Sequence, residues 1–281
     1  MKQPFTKVEG LGNDFVLIDA RSAPAEMDAR RAVATCDRHR GVGADGVLVV
    51  GPSRRAAASL EIWNADGSRA EMCGNGLRCA ALLLLEERGV SEISVETAAG
   101  LHRCRRGLEG QSPLNAAGDV WVELVGLQAG IPQTLEVLGP RGEPLSLSGR
   151  RVSLGNPHFV LFGGADANRA AQLGPAIEQH RAFAPDRTNV EFCELPAASG
   201  TGSGPSPALR VRVWERGAGL TQACGTGAAA AAVAAWMDGH LPKERTLVEL
   251  PGGTVSIDPV SPTSVGLQGP ARIVFRGELL A

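Results

Sequence analysis

Two cysteines share one setting in this chain. Cys73, in "EMCGNGLRC", and Cys224, in "QACGTGAAA", each stand directly before a Gly-x-Gly and a run of helix-forming residues. A thiol at the start of a helix faces unsatisfied backbone amides and the positive end of the helix dipole. That environment draws a cysteine pKa from about 8.5 into a range of roughly 3.5 to 7.5, so each thiol is expected to act as a base near neutral pH. Gly74, Gly76, Gly225 and Gly227 remove the Cβ atoms that would keep a ligand away from those amides. The result is a nest suited to a carboxylate or phosphate.

Two nests facing one another would supply two thiols and a cradle for one small anion. Inverting a stereocentre by proton transfer requires removal from one face and delivery to the other, and two bases on opposite faces meet that need. The amides would hold the α-carboxylate and stabilise the charge that builds as the α-proton leaves. One thiolate takes the proton while the partner thiol returns one. A pyridoxal-dependent route needs a Schiff-base lysine. The chain offers only Lys2, Lys7 and Lys243, none in a glycine-rich or strand-end setting, so cofactor-free chemistry is expected.

The elements that must position these thiols read as a strand at Phe15 to Asp19, a helix over about Asp28 to His39, and a strand at Val47 to Val50. A strand "SLEIW", the turn "NADGS" and the helix carrying Cys73 follow. "DVWVELVG" alternates as a strand does. "QSPLNAAG" (111–118) reads as a linker or hairpin tip, and "ELPAASGTGSGPSPA" (194–208) as a mobile surface loop.

The two halves echo each other. "WNADGSRAEMCGNG" (63–76) lies on "WERGAGLTQACGTG" (214–227) without a gap. Both follow an alternating strand and precede a helical run ending at Gly89 or Gly239, suited to left-handed C-terminal positions. "LGNDFVLID" (11–19) matches "LGNPHFVLF" (154–162) if one residue is inserted. A duplicated fold follows. The expected boundaries are 1–115 for the first lobe, completed by a C-terminal strand at 265–281, and 116–264 for the second.

Composition bounds the partners. With 281 residues, 43% apolar and 21% charged, the chain is of the globular class. A net charge of −2 gives no basic field for nucleic acid. No apolar run reaches the ~20 residues of a membrane span, and the opening "MKQPFTKVEGLGNDF" lacks the pattern of a secretory leader, so a cytoplasmic protein is expected. The six cysteines show no paired spacing, which argues for reduced thiols and against zinc. Cys36, Cys79, Cys104 and Cys193 read as core packing. "GVGADG" (41–46) satisfies a dinucleotide fingerprint in form, yet it follows a helix and enters a strand, the reverse of what that site requires.

The motifs "GLGNDF", "GVGADG", "NADGS", "AEMCGNGLRC", "GNPHFV", "RTNVEF", "ERGAG" and "TQACGTGA" together resemble, in order and spacing, the diaminopimelate epimerase family. The resemblance implies an α/β fold of two pseudo-symmetric domains, each a mixed sheet or barrel wrapped around a central helix. It also implies epimerisation of LL-2,6-diaminopimelate to the meso form on the lysine and peptidoglycan route, without cofactor or metal, by a homodimer. Carried over to this sequence, it marks Cys73 and Cys224 as the acid/base thiols, with His158 and Glu215 assisting proton transfer. Gly74, Asn75, Gly225 and Thr226 become the cradle at the helix starts. Asn13, Asn64, Asn156, Asn189, Glu215 and Arg216 become the residues that hold substrate. Two departures stand out: Gly46 occupies a position where some members carry a substrate-contacting glutamine, and Leu220 replaces a frequent acidic residue.

The nearest rival is a proline-racemase-type enzyme, whose cysteine surroundings differ from those above. A cysteine hydrolase would pair one thiol with a histidine, which leaves the repeat without a purpose. A carboxylate-binding protein would not need both thiols.

Overall fold

A computed structural model describes residues 2–22, 26–107, 118–195 and 208–280. The stretches read as linker and loop lie outside them, apart from Gly118, Glu194, Leu195 and Ala208. In chain order the first half carries β1 (Lys2–Gly10), β2 (Asn13–Asp19), α1 (Ala29–Cys36), β3 (Gly46–Gly51), β4 (Ala58–Asn64), β5 (Arg69–Ala70), α2 (Gly74–Arg88), β6 (Glu92–Thr97), β7 (Gly100–Arg106) and β8 (Asp119–Val125). The second half carries β9 (Leu127–Leu138), β10 (Pro144–Leu154), β11 (Pro157–Phe162), α3 (Ala167–Glu178), β12 (Asn189–Glu194), β13 (Leu209–Glu215), β14 (Gly219–Leu220), α4 (Gly225–Met237), β15 (Thr246–Leu250), β16 (Gly253–Ser261), β17 (Ser264–Pro270) and β18 (Arg272–Leu280). Two compact units result, one of residues up to Val125 together with those from Gln268 onward, the other Gly126–Leu267.

Each unit is a mixed sheet built to the same plan. In the first, β1 pairs antiparallel with β18 and β2, β2 runs parallel to β3 across α1, and β4 returns antiparallel and pairs in parallel with β6 around α2. In the second, β10 pairs antiparallel with β9 and β11, β11 runs parallel to β12 across α3, and β13 returns antiparallel and pairs in parallel with β15 around α4. The sequence reading places its first strand at Phe15 and has no β1. Burial of Thr6 and Lys7 beside Phe5 and Val8 hides the polar/apolar alternation that would have shown it.

Strand register shows which positions are equivalent. Trp63 faces Val47, and Phe15 faces Gly46 one residue earlier. Trp214 faces Val190, and His158 faces Asn189 one residue earlier. Phe15 therefore corresponds to His158, Gly46 to Asn189 and Leu48 to Glu191, while Asn13 falls on Asn156 with no insertion. The one-residue gap in the sequence reading came from matching phenylalanine to phenylalanine, and the ladders correct it.

β2 and β3 are buried on both faces, which is why they read as continuous apolar runs. Val16, Ile18, Val47 and Val49 pack with Ala32 and Cys36 of α1 on one side. On the other side lies the central helix. Leu77, Leu82, Leu84 and Leu85 of α2 are all buried, each stabilising the unit by roughly 1.5–3 kcal/mol. In α4 the run Ala228–Ala235 is buried all round, and a helix surrounded by strands needs that rather than a single apolar stripe. Gly89 (φ 64°) and Gly239 (φ 74°) follow the two helices in the left-handed conformation the sequence predicts.

Candidate active site

Cys73 and Cys224 are the N-cap residues of α2 and α4. Both have extended backbone, φ −143° and −119°, and each Sγ accepts a hydrogen bond from the amide of the third residue on, Gly76 at 3.4 Å and Gly227 at 3.3 Å. Serine, threonine, aspartate or asparagine fill this position best, and forgoing them costs about 1 kcal/mol. Placing cysteine there twice gives up stability for a thiol aimed at the helix amides.

In the first unit, Asn13 lies beside Cys73, its Oδ1 4.0 Å from Sγ. The same Oδ1 accepts from Asn75 Nδ2 at 3.2 Å, while Asn13 Nδ2 donates to Asp45 at 2.9 Å. Asn75 in turn accepts from Arg78 at 2.9 Å. Cys73, Gly74, Asn75 and Asn13 thus form one cluster. Asn64 is exposed at the end of β4 and donates to Ser68 at 2.9 Å. Gly46 has a packing reason, because a Cβ there would stand 2.6 Å from the Trp63 carbonyl oxygen.

In the second unit, Cys224 Sγ is 3.5 Å from the Thr226 hydroxyl, and that hydroxyl accepts from Asn156 Nδ2 at 3.2 Å. Asn156 Oδ1 lies 3.1 Å from His158 Nε2, and His158 Nδ1 lies 2.7 Å from Glu191 Oε1. Both partners of that last contact have fully buried side chains. Asn189 donates to the Pro157 carbonyl and accepts from the Arg216 amide at 2.9 Å, which ties the start of β12 to the end of β13. Glu215 accepts from the Thr221 hydroxyl, and the Arg216 guanidinium holds the Asp186 carbonyl at 2.9 Å.

One sequence expectation needs correction. The helix start does not bring the Cys224 thiol down toward neutrality. Burial, followed by the nearby carboxylates Glu215 and Glu191, pushes it well above the ordinary cysteine range, against the weaker pull of the Thr226 hydroxyl and the Gly227 amide. Cys224 rests as a thiol. The four cysteines read as packing are all buried, with Cys79, Cys104 and Cys193 at 0% exposure.

The sequence reading passed over Asp45, Arg78 and Glu191. All three lie inside motifs it quoted, but only the strand register sets Glu191 at the position of a leucine, Leu48.

Comparison with known proteins adds the family. The model of the diaminopimelate epimerase family matches residues 5–111 and 150–274. This chain belongs to that family. It is an isomerase of the epimerase type. A diaminopimelate epimerase from Microcystis aeruginosa is 42% identical over 293 residues, covering 99% of each chain. One from Bacteroides thetaiotaomicron is 36% identical over 282 residues, covering 99% of this chain and 98% of its own. Among solved structures, a predicted epimerase from Pseudomonas aeruginosa superposes with a TM-score of 0.72 at 17% identity over 99% of both chains. A hydroxyproline epimerase from Agrobacterium vitis gives 0.71 at 15% identity, over 99% of this chain and 92% of its own. At such identities these structures bear on the fold alone.

Proposed function

We propose that this enzyme interconverts LL-2,6-diaminopimelate and its meso form by moving the α-proton between Cys73 and Cys224 without a cofactor. The observation that carries the reading is the twice-built thiol cradle: the same N-cap cysteine, with the same amide at the third position, on the central helix of two units of equal plan, in a chain of this family. A thiolate takes the α-proton from one face, and the thiol opposite gives its proton to the other. After one turnover the thiolate and thiol have exchanged places. The α-carboxylate lies against the glycine amides of the helix starts, with Gly74, Asn75, Gly225 and Thr226 around it, where the charge developing at the α-carbon is stabilised.

Asn13, Asn64, Asn156, Asn189, Glu215 and Arg216 hold the remainder of the substrate. An arginine suits the distal carboxylate and a glutamate an ammonium group. His158 and Glu215 assist the transfers at the second thiol. A homodimer is the expected assembly.

The test is purified protein with LL-diaminopimelate in deuterated water. Deuterium should appear at the inverted carbon, and Cys73→Ala and Cys224→Ala should each lose roughly 10²–10⁴-fold in kcat with circular dichroism unchanged. Full activity in either variant refutes the two-base reading, and turnover of proline in place of diaminopimelate would move the enzyme to the racemase class.

A further inference from the structure

The duplicated scaffold places a guanidinium beneath one thiol and a carboxyl group beneath the other. In α2, five residues after Cys73, Arg78 is fully buried. Its guanidinium donates to Asn75 Oδ1 at 2.9 Å, the Gly74 carbonyl at 3.4 Å and the Pro270 carbonyl at 3.4 Å. All three acceptors are neutral. The equivalent residue in α4, five after Cys224, is Ala229.

In the second unit the relation is reversed. A Cβ on Gly227 would meet Glu191 Oε1 at 2.8 Å and Cys224 Sγ at 3.2 Å, whereas a Cβ on Gly76 would meet Leu48 Cδ2 at 2.8 Å and Cys73 Sγ at 3.6 Å. A carboxyl group therefore underlies one thiol where a leucine underlies the other. The Glu191 Oε2 atom is buried without a hydrogen-bond partner.

We infer that Arg78 and Glu191 are positioning residues that set the resting protonation of the pair, Arg78 holding Cys73 as the thiolate and Glu191 keeping Cys224 as the thiol. The inference rests on the two-base reading, because it assigns each thiol its starting role: Cys73 the first base, Cys224 the first acid.

The surrounding charges leave this assignment standing. Around Arg78, Glu9 is engaged by Arg272 at 3.0 Å, Asp119 is a carboxylate neighbour that takes a hydrogen bond from Gln268, and Cys79 is a buried thiol whose pKa burial raises to about 12. Beyond Asn13, Asp14 is neutralised by Lys7 and Arg38, and Asp45 by Arg38. Burial weakens the hold of Arg78 on its proton, yet guanidinium starts so far above neutrality that it stays charged. In a low-dielectric interior that charge acts strongly on a neighbouring thiolate. Around Cys224 stand Glu215 and Glu191; burial raises the pKa of Glu191 and the adjoining His158 opposes that rise. Arg150, on a strand packed against α4, is held at the far end of that helix by Asp238, at 3.0 Å.

Thiolate ultraviolet absorbance tests this directly, without turnover. The chain has no tyrosine to absorb in that band. Cys36, Cys79, Cys104 and Cys193 are all shifted upward by burial, to about 11 and about 12 for the first two, and stay silent at lower pH. In Cys224→Ser, the Cys73 thiolate should titrate with a midpoint below about 7.5. In Cys73→Ser, no thiolate should form below about pH 8.5, the ordinary cysteine value. Adding Arg78→Met to Cys224→Ser should raise the Cys73 midpoint by a unit or more, while Arg78→Lys should restore most of it. Adding Glu191→Gln to Cys73→Ser should lower the Cys224 midpoint.

Equal midpoints for the two thiols, or a Cys73 midpoint unmoved by Arg78→Met, overturn the inference. Should Arg78→Met fail to fold, the order of the two midpoints in the single-serine variants still decides it. Failure of the two-base reading would look different: Cys73→Ala would remain active whatever the midpoints.

Discussion

At Cys224 the backbone and the surroundings pull in opposite directions. The helix start offers an amide hydrogen bond and a favourable dipole, but the side chain is 6% exposed and two carboxyl groups lie near it. Removing a thiolate from water outweighs one charge-assisted hydrogen bond. A sequence motif predicts the first influence and is blind to the second, which depends on residues brought in from β12 and β13. Gly46 illustrates the same limit. From sequence it reads as a lost glutamine contact, whereas in the fold its missing Cβ makes room for the Trp63 carbonyl oxygen. Restoring the side chain should therefore harm the enzyme. Gly46→Gln is expected to lower unfolding stability in urea by about 1–3 kcal/mol, the usual range for overpacking. A variant as stable as the wild type would show that β3 and β4 can separate at no cost.

At the scale of elements, the sequence showed the two helices, their glycine stops and the strands leading to each tryptophan, because those features are local. The family resemblance named Asn13, Cys73 and Asn75, and Asn156, Thr226 and His158, without saying which of them meet; the structure places each set in contact. Three features were not legible. β1 was hidden by its buried Lys7, the register of β2 against β11 was obscured by an accidental phenylalanine match, and Glu191 acquires meaning only once β12 is set beneath α4. The third residue of each helix tests how far the cradles differ. Gly76→Ala would press on a Leu48 methyl that can turn aside, while Gly227→Ala would press on Glu191 and on Cys224 itself. Gly227→Ala should lower kcat at least tenfold more than Gly76→Ala, with similar losses of stability. Equal effects on kcat would mean that the glutamate takes no part in holding the second thiol.

Over the whole molecule, thiols are distributed so that folding and proton binding are linked. Cys36, Cys79, Cys104, Cys193 and Cys224 are all pushed upward, with burial the largest cause in each case. A group whose folded pKa lies above its unfolded value keeps its proton only in the native state. Its contribution is complete below about pH 8.5 and is lost as pH climbs toward the folded value. For each such thiol the loss approaches about 1.4 kcal/mol per pH unit within that window. Cys36 ceases to contribute to the slope above about 11, and the deeper thiols continue beyond it. Both units carry such thiols, so alkaline sensitivity belongs to the chain rather than to one cradle. Urea unfolding under reducing conditions should show stability falling steeply between about pH 8.5 and 10.5. Cys104→Ala, which removes one buried thiol far from the cradles, should lower stability at neutral pH through the cavity it leaves and flatten the alkaline slope by the share of one group. An alkaline slope identical in wild type and variant would place the titrating groups elsewhere.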